Sequence, residues 1–154
     1  MNLRKSLMGL VFGSLVFSSI SAHAAGMTNF SGRWFGVCKD KNGIQRNHSM
    51  DIYQNGFQGV SINERYFDFG RTVETRVPND PTEFPPSFNV AFEVVKLVNN
   101  AAEMEYVYSG TYKDANHSWK STMVTRFAVI NSRLVTKLND LTNGFTETCQ
   151  YTKY

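Results

Sequence analysis

The chain predicts an all-β protein: a single antiparallel up-and-down β-barrel of about eight to ten strands. Three observations carry this. Apolar residues recur with period two along most of the chain. Turn-forming Asn and Gly fall at short intervals between the alternating runs. The runs themselves are rich in Val, Thr, Phe and Tyr, which suit a half-buried pleated surface. Short strands separated by such turns suit a sandwich or a barrel.

Strands are expected near 31–38, 46–54, 57–63, 65–69, 71–77, 87–98, 102–109, 117–130, 133–139 and 144–152. In residues 72–77, Val73, Thr75 and Val77 lie opposite Glu74 and Arg76. Phe88, Val90, Phe92 and Val94 share a face. Met104, Tyr106 and Tyr108 oppose Glu103 and Glu105. The longest stripe is Trp119, Ser121, Met123, Thr125, Phe127 and Val129, backed by Lys120 and Arg126, and Leu134, Thr136 and Leu138 repeat it. The breaks are Lys41-Asn42-Gly43, Asn55-Gly56, Asn99-Asn100, Asn131-Ser132 and Thr142-Asn143-Gly144, where Asn and Gly reach positive φ at low cost. Residues 91–106 also admit a helical face through Ala91, Val94, Val95, Val98 and Ala102. The β-branched valines and the Asn99-Asn100 break favour a hairpin.

All four prolines lie in residues 78–86, so this stretch is a loop. It reads either as a stiff connection or as a lid whose contact residue is Phe84.

Residues 1–24 have the form of a cleavable signal peptide: Arg4 and Lys5, an apolar run at residues 7–17, then Ala22-His23-Ala24. That run is too short to span a bilayer as a helix. Residues 25–154 then form one domain in a secreted or periplasmic setting. Cleavage removes two of the 16 basic residues against 13 acidic ones, so the exported chain is close to neutral. No Lys/Arg run marks a nucleic-acid surface. Counting back from Tyr154, the face holding Thr152, Gln150 and Thr148 is polar, which argues against a lipid-facing, membrane-spanning barrel.

The only cysteines are Cys38 and Cys149. Outside the cytosol such a pair is most simply a disulfide, and it brings the first and last strands together. Two free thiols or an intermolecular bond are the alternatives.

Neither His48 nor His117 has a second His or a carboxylate at ligand spacing, so no metal site is expected and each reads as a solvated turn residue. There is no nucleophile elbow, phosphate loop or calcium-loop spacing. No cofactor is implied, and no catalytic cluster points to an enzyme. Aromatics are in excess at 14%. Trp34, Tyr53, Phe92, Tyr106, Tyr108 and Phe127, with Met123, either fill a core or line a cavity for an apolar or amphipathic ligand.

The first strand region reads Phe30-Ser31-Gly32-Arg33-Trp34-Phe35-Gly36-Val37-Cys38. Its Gly32-x-Trp34 element, ahead of a run of antiparallel strands, resembles the opening of lipocalins and of the wider calycin group, which includes avidins. The resemblance implies a lipocalin-like barrel in which Trp34 plugs the closed end and Arg126 or Arg133 packs over it. The expected function is interior binding of a small hydrophobic or amphipathic ligand. The alternative is an interaction module, inhibitor-like or envelope-associated, acting through loops 39–46 and 78–86 around a solid core.

Overall fold

A computed structural model describes residues 26–78, 88–113 and 118–154. Residues 1–24, Phe84 and His117 lie outside the described residues. The strands are β1 (Gly32–Asp40), β2 (Gln45–Asn55), β3 (Gly59–Ile62), β4 (Arg65–Asp68) and β5 (Val73–Pro78), followed by β6 (Phe88–Val98), β7 (Glu103–Lys113), β8 (Ser118–Ile130), β9 (Arg133–Asp140) and β10 (Thr146–Lys153). The hairpin reading of residues 91–106 holds, with β6 and β7 paired from Val98↔Glu103 to Val90↔Thr111. Among the described residues no helix is long and apolar enough to cross a membrane.

Local chemistry sets the turns. Asn63-Glu64 and Asn131-Ser132 each hold two successive residues at positive φ, the arrangement whose twist matches a two-residue hairpin. Asn99, Asn100 and Ala101 do the same at the β6–β7 connection. At the end away from the β6–β7 and β8–β9 turns, Asp40 Oδ1 accepts the N–H groups of Asn42 (2.8 Å) and Ile44 (2.9 Å). Asp140 Oδ1 likewise accepts those of Thr142 (2.8 Å) and Asn143 (3.1 Å). Each carboxylate replaces hydrogen bonds that the ladder lacks at the turn.

All ten strands form one antiparallel sheet in the order β4-β3-β2-β1-β10-β9-β8-β7-β6-β5. The chain ends meet in the middle of this order. The seam of the nearly closed barrel therefore falls between β4 and β5, which are neighbours in sequence. β4 has only four residues, and the chain leaving it leans on β6 instead of pairing with β5. Phe69 bridges Val95, and the Gly70 N–H donates to the Val95 carbonyl at 2.7 Å. Arg65 spans the gap, donating to Glu93 Oε1 at 2.9 Å and to Thr75 Oγ1 at 3.2 Å.

The base is solid. Phe30, Val60, Val95, Met104 and Leu134 are fully buried there, beside Trp34, Ile52 and Phe127. The segment before β1 crosses this end: the Thr28 N–H donates to the Ala101 carbonyl at 3.0 Å, and the Phe30 N–H to Gln54 Oε1 at 2.9 Å. Trp34 Nε1–H donates to the Phe30 carbonyl at 2.9 Å, so its one polar atom is satisfied inside. The cation over its ring is Lys153, with Nζ 5.7 Å from the centroid. Neither arginine expected there takes that place. Arg126 faces outward and pairs with Glu105 at 3.1 Å, because period two puts it opposite the inward Phe127, and Arg133 is exposed.

Cys38 and Cys149 form a disulfide between directly paired positions of β1 and β10, with Cα atoms 3.9 Å apart. Gly36 allows this approach, since a Cβ there would sit 2.7 Å from the Tyr151 Cα. The bond closes a sequence separation of 111 residues. Substituting both cysteines by Ser is expected to lower unfolding stability by about 2–5 kcal/mol. Urea denaturation checks this, and an unchanged midpoint would count against it.

The Asp140 carboxyl is held below its ordinary pKa by the Thr142 and Asn143 amides. A depressed folded pKa contributes stability that is complete above the ordinary Asp range and is lost as pH falls through the lower, folded value. The Thr142 and Asn143 amide resonances are therefore expected to titrate with a midpoint below 3.8, followed by NMR.

Candidate functional site

The barrel interior changes character with height. On β2 the inward residues from base to mouth are Ile52, Met50, His48 and Arg46, following the period of two. On β10 they are Tyr151, Cys149 and Glu147, and on β6 Leu97, Val95 and Glu93. On β4, Phe67 stands below Arg65. Apolar residues fill the base, and the polar ones lie towards the mouth.

Above the solid base is a cavity of about 430 Å³. Met50, Ile62, Phe67, Phe127 and Leu138 form its apolar wall, with the Cys38–Cys149 disulfide on one side. Its polar wall comprises His48, Tyr106, Thr125, Thr136 and Tyr151, then Glu93 and Glu147, each with an arginine.

Two Arg–Glu pairs dominate the electrostatics. Arg46 Nη2 donates to Glu147 Oε2 at 2.8 Å. Arg65 pairs with Glu93, which also accepts the Tyr106 hydroxyl at 2.5 Å. The carboxylates are nearly buried, with side-chain exposures of 7% and 5%, whereas the arginines are 62% and 46% exposed. Burial and the adjacent Glu93 raise the Tyr106 phenol well above its ordinary range, so it remains a hydrogen-bond donor. Burial likewise raises Tyr151. The hydrogen bond to Glu147 raises the Arg46 pKa further. The Tyr151 hydroxyl lies 3.0 Å from His48 Nδ1, and the two rings meet edge to face. His48 is thus an inward strand residue, correcting the turn reading; alternation from Met50 and Ile52 brings it inside.

Cys38, Cys149 and Glu147 place three ligand-type atoms within 4.8 Å of one another. The sulfurs are bonded to each other and offer no thiolate, so this donor set does not fit a metal while the disulfide is intact.

The expected ligand-lining residues divide. Tyr106 and Phe127 line the cavity. Tyr108 lines a second hollow of about 310 Å³ beside the seam, with Tyr112, Arg65 and Thr75. Met123 pairs with Tyr108 in the β7–β8 register, in step with inward Thr125 and Phe127. Trp34 belongs to the solid base and does not border the cavity. Tyr53 and Phe92 are corrections, being 68% and 45% exposed on the outer face. Tyr53 alternates with buried Ile52, and Phe92 with buried Glu93, so the apolar stripe Phe88–Val90–Phe92–Val94 faces outward.

Arg46, Arg65, Glu93 and Glu147 were not anticipated as interior residues, because charge in an alternating strand is normally read as the solvent face. One signal was available. Once Cys38 and Cys149 face inward, period two carries Glu147 and Tyr151 with them, and pairing of Cys38 with Arg46 brings Arg46 to the same face.

No family model, curated protein or solved structure matches this chain.

Proposed function

We propose that this chain is an exported barrel that binds a small amphipathic ligand in its upper interior. The cavity above the solid base carries this reading. Its volume of about 430 Å³ is within the range of small-molecule sites. An apolar wall with a few polar groups towards one end suits a ligand that is apolar at one end and polar at the other. Export is supported by the signal-like residues 1–24 and by the disulfide, which persists in oxidising compartments. The lipocalin-like reading is supported by the antiparallel barrel and by Trp34 at its closed end. We read the site as one for binding, not turnover: both carboxylates are engaged by arginines.

Thr125 borders the cavity and Val107 points outward on the neighbouring strand. A fluorescent amphipathic probe is expected to bind saturably at one site. Thr125→Trp should weaken it at least about ten-fold by filling the space, whereas Val107→Trp should leave it within about two-fold. Absence of saturable binding, or equal effects of both substitutions, would refute the interior site.

A further inference from the structure

We propose that the polar end of the ligand is a primary ammonium, seated on the Glu147 carboxylate; this rests on the binding function proposed above. Glu147 borders the cavity and is almost completely buried. Its Oε2 accepts from Arg46, but among the described residues its Oε1 has no hydrogen-bond partner. A buried carboxylate oxygen left unpaired is costly, and here the residue that carries it lines a cavity of ligand size. Glu93 differs: its Oε1 accepts from Arg65 and Tyr106, and its Oε2 pairs with Arg65.

The distribution of charge favours a cation. The guanidiniums of Arg46 and Arg65 reach the solvent, where water and salt screen them. The carboxylates sit where the dielectric is low, so their field dominates inside the cavity. An anionic head group would have to draw Arg46 away from Glu147 and leave a buried charge unpaired, which is strongly unfavourable. An ammonium instead adds a charge-assisted hydrogen bond to the free oxygen and leaves Arg46 in place. On the Glu93 side the aromatic face is already taken by a cation. Phe67 already carries the Arg65 guanidinium 5.2 Å from its centroid, and its ring meets Tyr106 edge to face at 5.8 Å. Met50, Phe127 and Leu138 then receive the apolar body.

Three probes with one skeleton decide the matter: octylamine, 1-octanol and octanoate, titrated calorimetrically into the oxidised protein. Octylamine is expected to bind about ten-fold more tightly than octanol, and octanoate more weakly than both. Glu147→Gln should abolish the preference for the amine, read as the ratio of octylamine to octanol affinity falling to about one. Glu93→Gln should retain that preference, because its oxygens are already taken. Equal binding of amine and alcohol, tightest binding of octanoate, or loss of the preference in Glu93→Gln alone would overturn the ammonium assignment and leave the cavity function standing. Binding of none of the three would overturn both. Should Glu147→Gln fail to fold, the order of the three probes on the unsubstituted protein and the Glu93→Gln result still decide.

Discussion

The β1–β10 ladder is the constraint on which the architecture depends. It joins the two ends of the folded domain over the register from Trp34↔Lys153 to Asp40↔Glu147, with Cys38 facing Cys149 within it. Without it, the sheet would separate into a four-strand meander and a six-strand one, neither able to enclose an interior. The sulfur bridge makes this pairing covalent. It also turns Glu147 and Tyr151 inward, because they alternate with Cys149 on the same face. One covalent bond thus fixes both closure and the polarity of a wall.

Height within the barrel then divides the work. The base holds Phe30, Trp34, Met104 and Leu134, among whose side chains the one polar group, the Trp34 indole N–H, is bonded to the Phe30 carbonyl. That apolar mass supplies the burial that stabilises the fold. The upper interior contributes less to stability, since buried ion pairs seldom offset their own desolvation by much. Its paired carboxylates and arginines are better understood as a chemically specific lining supported from below. Thr136 and Tyr151 lie at the boundary between the two regions.

Much of the fold was legible in the sequence. The alternation of Met104, Tyr106 and Tyr108 against Glu103 and Glu105, and the Asn131-Ser132 turn, specify β7 to β9 and their facing. The cysteine pairing was the simplest expectation for an exported chain with two cysteines, and the disulfide is formed. The seam did not, because strand order depends on which edge is long enough to pair, and the shortness of β4 is a matter of tertiary contact at Phe69 and Val95. The site was legible only in part. Tyr106 and Phe127 obeyed their stripes. On β6, however, both faces carry apolar residues, so periodicity alone could not tell that Glu93 lies inside and Phe92 outside. Buried charge is recognisable only when a partner on another strand is known, as Arg65 is for Glu93.

The seam also has a bearing on solubility. A sheet that does not close completely keeps two raw margins, each able to template a foreign strand. On this chain one margin is the four-residue β4, too brief to offer much of a ladder. The other, β5, sets the ion pair of Glu74 and Arg76 on its outer side and ends in Pro78, which has no N–H to give. The incomplete wall therefore remains compatible with life as a lone polypeptide, since both places where fibril-like growth would begin are blunted by length, charge and proline.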